Sequence, residues 1–420
     1  METAILTVFG LVFWLCVFAI GYSYAGFPML LKWLAKDKDL PDEIYQKDED
    51  FPEVAVLMAV YNEEAVLNKT LASIVASNYP REKLRVYIGS DGSTDRSHAI
   101  IEGFRAQYPN LDLTIFEGRN GKIRIMNHLA RKAAYDFRVP ETGVFVLCDA
   151  NVAWSPFLLR NLTCHFRRDK VGLVGANVID AQKDHEGIGA EEDAYVDREN
   201  LIKYQEGVLW GAVIGAFGAC YAMRATVFRP VPEKYIVDDF FLTMTCLEQK
   251  KEAIVDLDAE CYEAVSTDIR EEFRRKRRIA TGNFQNLSHF FCFLLPWKRS
   301  PGISFAFWSH KGLRWIGPVL LIGAFLSCFV MSTISPFYAM LFLGFVGTFF
   351  IAGLDRILSD AKAGIHVKLF RFVRYFYSMN LALFLGMIDY LKGGQNSVWE
   401  PTRRVVQEGE KRQNVGVKAD

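Results

Sequence analysis

The chain has 420 residues, enough for two or three structural units rather than one hydrophobic core. Its 49 Lys+Arg balance 49 Asp+Glu, which leaves no basic field for nucleic acid and no acidic excess of the disordered kind. Hydrophobic residues make up 51% beside 23% charged, a mixture that predicts apolar segments separate from an ordinary globular domain. Eight scattered cysteines without a CxxC pair exclude a secreted disulfide scaffold and read as reduced thiols.

In chain order, Ala4 to Leu31 carries no charge over 28 residues, longer than the roughly 20 a span needs. Lys32, Lys36 and Lys38 follow at once, which predicts a membrane anchor over 1–36 with the downstream chain in the cytosol. The acidic stretch 37–52 reads as a linker. From 53 to 281, short apolar runs alternate with amphipathic segments, the pattern of a mainly parallel α/β sheet covered on both faces. The strands expected are Val54–Val60, Arg85–Gly89, Leu111–Phe116, Val144–Cys148 and Val171–Gly175. Helices are expected over Glu64–Ala76, Ser97–Gln107, Lys122–Tyr135 and Pro156–Arg167.

Beyond this domain, Gly282–Trp297 is rich in aromatics and predicts interfacial helices over 282–312. Trp315 to Leu354 is uncharged for 40 residues, too long for one span, and predicts a hairpin over 313–355 turning at Ser332–Pro336. A basic stretch follows, 356–398, in which Tyr375–Ile388 fits either an interfacial helix or a third C-terminal span. The tail 399–420, with Arg403, Arg404, Lys411 and Arg412, is expected in the cytosol, which favours the interfacial reading.

In a parallel α/β sheet ligands bind beyond the carboxyl ends of the strands. Tyr61-Asn62-Glu63-Glu64, Asp91-Gly92-Ser93-Thr94-Asp95 and Asp149-Ala150-Asn151 each follow a strand, so three polar clusters form one composite site. Helix capping is the alternative for each aspartate and is favoured for Asp95. No Gly-x-Gly-x-x-Gly or Gly-Lys-Ser/Thr phosphate loop occurs, and the seven histidines lack zinc-ligand spacing.

These clusters, together with Val237-Asp238-Asp239, the basic Arg274–Arg278 run and Trp399-Glu400-Pro401-Thr402-x-Arg404, resemble the inverting glycosyltransferases of family 2. The nearest subgroup is the membrane-integrated synthases related to cellulose, hyaluronan, chitin-oligosaccharide and poly-N-acetylglucosamine synthases. The resemblance implies a Rossmann-like glycosyltransferase A-type domain joined to transmembrane and interfacial helices. It also implies a nucleotide-diphosphate sugar donor, a uridine one by preference. Tyr61, Glu63, Asp91, Lys122, Asp149, Arg275 and Arg278 would bind that donor; a solvated helix start is the other reading of Lys122. Asp149 and Asn151 would hold Mg²⁺ or Mn²⁺, which suits oxygen ligands and a departing diphosphate. Asp239 would be the base that takes the acceptor proton, with Asp238 beside it. Gly218, Ala219, Cys220 and Ile279 would face the acceptor, though Ala216–Cys220 also reads as part of a buried strand.

Two departures from the family pattern stand out. Asn151 replaces the second carboxylate of Asp-x-Asp, which removes one negative charge from the metal site. Ile279 replaces a tryptophan that stacks on the acceptor sugar in chain-forming members. The expected protein is therefore a multi-pass enzyme of the plasma membrane, with a cytosolic catalytic domain and no nucleic-acid partner. Its partners would be a nucleotide sugar, a glycan or lipid-linked acceptor, membrane lipids, and a second copy or an export partner. Chain synthesis, single addition to a lipid-linked acceptor, and an inactive nucleotide-sugar-binding subunit all stay open on the sequence.

Overall fold

The computed structural model describes residues 2–41, 45, 47–181, 188–264, 268–295, 301–360 and 367–393. The Trp399–Arg404 motif lies outside them. The centre of the molecule is an eight-stranded sheet. Its strands are β1 (Val54–Val60), β2 (Leu84–Asp91), β3 (Leu111–Phe116), β4 (Val144–Cys148), β5 (Ala153–Trp154), β6 (Val171–Asp180), β7 (Cys220–Arg224) and β8 (Glu252–Glu263), in the order β3-β2-β1-β4-β7-β6-β8-β5.

β1 runs parallel to β2 and β4, and β2 to β3, with Leu57 opposite Tyr87 on one side and Leu147 on the other. Successive side chains of a strand face opposite ways, so both sides of β1 need covering. Val56 and Met58 enter one core with Leu71, Ile74 and Ile88, while Leu57 enters the other with Ile125, Leu129 and Tyr221. Leu57 is fully buried, and truncating such a side chain to alanine costs about 2–5 kcal/mol.

The sheet is mixed where the sequence reads as mainly parallel. β7 runs antiparallel to both β4 and β6, and β5 antiparallel to β8. β5 is two residues, too short to carry a periodic signal, and β7 is a five-residue strand that was not among those expected. The antiparallel β7 matters for the site because it sets Cys220 opposite Cys148, which brings the loop before β7 beside the end of β4.

The segment from Gly282 is not the separate interfacial helix that its aromatics suggest. It is the second half of a 22-residue helix, Ile269–Phe290, that begins at the basic run. Phe284, Phe290 and Phe293 are buried in the domain core with Phe241 and Trp315. Gly282 permits this docking: a Cβ there would lie 2.6 Å from Val237 Cγ2. Asn286 Nδ2 donates to Val237 O at 3.0 Å, so the helix clamps the residue that precedes Asp238.

The helix Lys368–Leu391 packs along Ile269–Phe290. Gly386 comes so close to Ala280 that a Cβ would meet it at 2.5 Å, and Arg277 grips Asp389 through two bonds of 2.6 and 2.8 Å. Among the described residues, Leu6–Leu34 and Pro336–Leu358 are long and apolar enough to cross a membrane. A bent pair, Pro301–Trp315 and Gly317–Ser332, meets the same test as a third candidate, with a 62° bend. The Lys368–Leu391 helix is not one of these. Helices Gly317–Ser332 and Pro336–Asp360 turn back on each other at Thr333–Ser335, and the first packs against Phe13 and Cys16 of the N-terminal helix.

Candidate active site

The strand ends open into a cavity of about 1800 Å³. The first strand–helix loop is built by short polar residues. Asp95 accepts from Ser97 N at 2.9 Å and from Glu64 N at 3.0 Å, while Asn62 Oδ1 accepts from Thr94 N at 2.8 Å. These bonds tie the loops after β1 and β2 together, and Asp95 meets the amide of Ser97, the first residue of the helix Ser97–Arg105. Hydrogen bonds from those amides hold its carboxyl below the usual aspartate range even though burial alone would raise it.

Asp91 ends β2 and does more than face the cavity. Its carboxylate accepts from Arg119 Nε at 3.1 Å, from Asn120 N and from Gly121 N at 3.1 Å. It thereby folds the Gly118–Gly121 loop that delivers Lys122, and Gly118 and Gly121 supply the positive φ values that the turn requires. Arg119 also lies 3.4 Å above the centre of the Tyr61 ring, a cation–π contact that fixes one face of Tyr61.

Lys122 is the first residue of the helix Lys122–Asp136 and points into the cavity. Its Nζ lies 2.8 Å from Asp149 Oδ1 and 3.6 Å from Asp238 Oδ2. Burial would lower its pKa, but Asp149 and Asp238 outweigh that and hold it above the usual lysine range. Asp149 follows β4 and its amide donates to Ala219 O at 3.0 Å, which links two of the expected subsites. Asn151 turns its Nδ2 toward Glu263 Oε1, 2.8 Å away.

Asp238 and Asp239 open the helix Asp238–Glu248. The Asp239 pKa is raised to about 6, by burial first and then by the adjacent Asp238 charge, with Lys122 opposing. A Cβ on Gly218 would lie 2.7 Å from Asp239 Oδ2, so the absence of a side chain there leaves room for the carboxylate.

The cavity brings together Tyr61, Glu63, Asp91, Lys122, Asp149, Asn151, Gly218, Ala219, Asp238, Asp239, Arg278 and Ile279. Cys220 is a correction. It is fully buried within β7, does not line the cavity, and its side chain belongs to the domain core. The alternative reading of Ala216–Cys220 as part of a strand therefore holds at that residue. Arg275 is a second correction. It reaches the cavity wall, but its guanidinium is bound by Glu272 at 2.9 Å and Glu192 at 2.9 Å, both almost fully buried. Arg278 is the residue of the pair that feels Asp149, Asp238 and Asp239, although burial brings its pKa down.

Two groups escaped the sequence reading. Lys203 is buried, with its Nζ 3.1 Å from the centre of the Phe217 ring, and burial followed by the Lys311 charge lowers its pKa to about 7. Behind it, His310 is fully buried between Glu206 at 2.8 Å and Glu199 at 3.1 Å, and Lys311 and Arg314 also pair with Glu199. Glu192, Glu199, Lys203 and Glu206 recur at helical spacing in the helix Ile188–Trp210. That one-sided charge pattern was the available signal.

A mixed sheet with carboxylates and cations converging at its strand ends defines a glycosyltransferase A-type domain. A model of the family described as "Glycosyltransferase like family 2" matches residues 52–282, and the chain belongs to that family. Beta-monoglucosyldiacylglycerol synthase of Synechocystis sp. is 31% identical over 245 residues, covering 56% of this chain and 48% of that protein. The chain thus spans about half the length of this relative. Poly-beta-1,6-N-acetyl-D-glucosamine synthase of Staphylococcus epidermidis is 29% identical over 84 residues, 20% of each chain. Among solved structures, the mannosyltransferase PcManGT from Pyrobaculum calidifontis, in complex with GDP-Man and Mn²⁺, superimposes with a TM-score of 0.65 at 20% identity. That match covers 90% of this chain and 99% of that one.

Proposed function

We propose that this glycosyltransferase moves one sugar, with inversion, from a nucleotide-diphosphate sugar to the hydroxyl of a membrane lipid. One observation carries the choice of acceptor. The cavity that holds Asp149 and Asp239 is also lined by Ile20 and Tyr24 of the apolar N-terminal helix and by Phe376, Met379 and Leu383 of the Lys368–Leu391 helix. A lipid headgroup can reach Asp239 along such a wall without leaving the membrane surface. The Synechocystis relative, whose name gives a glucosyl-diacylglycerol product, supports the same acceptor class.

In this reading Asp239 takes the acceptor proton as the lipid oxygen attacks the anomeric carbon, and the diphosphate leaves on the opposite side. A pKa near 6 leaves Asp239 ionised at neutral pH yet basic enough to accept a proton. Lys122 and Arg278 lie where they would meet the charge that grows on the leaving diphosphate. Asp91 acts by holding the Lys122 loop, and Tyr61 and Glu63 form the far wall for a nucleoside, by preference uridine. Asp149, Asn151 and Glu263 all line the cavity, Asn151 beside Glu263, and their oxygens are the kind of donor that suits Mg²⁺ or Mn²⁺. Glu263 would restore the charge lost at Asn151, and a bound cation would neutralise the departing diphosphate. Ile279 offers a small apolar contact in place of a stacking platform, which favours single addition over chain growth.

The apolar helices support a membrane location with the catalytic domain on the cytosolic side, as in a bacterial inner membrane. The test is nucleoside-diphosphate release by the purified enzyme with UDP- and GDP-sugars, Mg²⁺ or Mn²⁺, and diacylglycerol in nanodiscs. Turnover that needs the lipid and yields a single-sugar product supports the reading. Long products from a lipid-free reaction would replace it with chain synthesis.

A further inference from the structure

A second cavity, about 1180 Å³, lies among the helices Gly317–Ser332, Pro336–Asp360 and Lys368–Leu391. Its lining is mostly apolar, with Phe325, Phe345, Phe349 and Leu381 among it; Arg374, which pairs with Asp355, and the neighbouring Arg356 also line it, as do Asp268, Arg270 and Arg274. From Phe345 to Arg356 the helix rises about 16 Å at about 1.5 Å per residue. That is about half of a bilayer core of roughly 30 Å, the depth of a single leaflet. Arg356 and Arg374 mark the level that would meet headgroups.

This groove shares a wall with the catalytic cavity. Asp268, Arg270, Arg274 and Asn380 line both. Asn380 is buried in this wall: its Nδ2 donates to Phe376 O at 2.9 Å, and its Oδ1 faces Gly317. An apolar groove adjoining a polar reaction chamber suits a molecule that is hydrocarbon at one end and carries a hydroxyl at the other.

We propose that the groove holds a hydrocarbon chain of a diacylglycerol-type acceptor, whose hydroxyl passes Asn380 to reach Asp239. The proposal rests on the lipid-acceptor reading and adds where the tail is bound. It distinguishes one bound lipid from the bulk bilayer, because bulk lipid has no reason to prefer a groove that leads to the base.

Gly353 makes the groove testable. Gly353 lines the groove and a Cβ there meets nothing within 4 Å, so Gly353→Trp adds bulk at this wall without a clash at Cβ. The full chain is placed in phosphatidylcholine nanodiscs with diacylglycerol carrying a diazirine near the end of one acyl chain. A parallel sample carries the diazirine on phosphatidylcholine. Adducts mapped by peptide mass spectrometry are expected around Phe325, Phe349 and Leu381, at least fivefold richer with diacylglycerol. Gly353→Trp is expected to reduce them at least fivefold while nucleotide binding stays unchanged. Equal labelling by the two lipids, or labelling that survives Gly353→Trp, overturns the proposal. Transfer from UDP- or GDP-sugars to the same diacylglycerol is measured in the same discs. Groove adducts without transfer keep the groove and sink the acceptor reading; transfer without groove adducts does the reverse.

Discussion

Lys122 Nζ stands 2.8 Å from Asp149 and 3.6 Å from Asp238, so one cation joins the strand-end carboxylate to the helix that carries the expected base. Replacing it leaves Asp149, Asp238 and Asp239 facing one another without that neutralising charge. Lys122→Met is expected to lower kcat/KM about a hundredfold. Because Lys122 holds the Asp239 pKa down, the acid limb of the pH–rate profile should also move to higher pH. Steady-state profiles of both proteins check this, and an unmoved limb would dissociate Lys122 from the base.

The Asp239 pKa of about 6 predicts its own titration. Transfer should rise as pH increases through about 6 and level off above it, since only the carboxylate accepts a proton. Asp239→Asn should cost about 10²–10⁴-fold in kcat while nucleotide binding persists. The stability sign is opposite to that of a salt-bridged aspartate. A folded pKa raised above the unfolded value gives a contribution that is full below the unfolded pKa and is lost as pH rises through about 6. Thermal melts from pH 4.5 to 7.5 should therefore show Asp239→Asn gaining relative to the native chain as pH rises.

Gly218 predicts a purely steric effect on the base. Gly218→Ala places a methyl 2.7 Å from Asp239 Oδ2, and the carboxylate must turn away. The expected result is a kcat loss of about tenfold or more with the donor KM almost unchanged, since a small misplacement of a reacting group is costly.

Arg275 and Arg278 should separate into stability and binding. Arg275→Ala strips one cation from the buried Glu192 and Glu272, a loss of about 3 kcal/mol that Lys276 softens by pairing with both. Arg278→Ala should leave the melting temperature nearly unchanged and raise the donor KM at least tenfold. Melts and kinetics on the two variants decide it, and a reversed pattern would return Arg275 to the donor clamp.

Glu263 is expected to compensate for Asn151 in metal binding. Glu263→Gln should weaken Mn²⁺ about 10–100-fold in the presence of nucleoside diphosphate, and Asn151→Asp in that background should restore part of it. Calorimetric or electron-paramagnetic titration reads this without turnover. Unchanged Mn²⁺ affinity in Glu263→Gln would remove Glu263 from the site.

Much of the site was legible in the sequence because β1, β2 and β4 are apolar runs followed at once by polar residues. A strand buried on both faces leaves little ambiguity about where it ends, and Asp91 and Asp149 could be named from that alone; Asp239, at a helix start, was named only through the family resemblance. The same local reading misplaced Cys220 and Arg275. Cys220 lies one residue past a cavity group and Arg275 reaches the cavity wall, and what each side chain meets depends on β7 pairing and on the distant Glu192.

What the sequence by itself determined was the segregation of the chain: an α/β domain, apolar helices at either end, and acidic residues at the strand ends. Those follow from local periodicity and from short-range polar punctuation. Only the tertiary structure decided which charges meet. The Lys122–Asp149 pair, the Asn151–Glu263 contact, the His310 cluster and the groove beside Asn380 each join residues 27 to 112 positions apart or cross three helices. Such contacts are set by helix docking and sheet order, whose physical cause is burial across the whole chain and not the preference of any one segment.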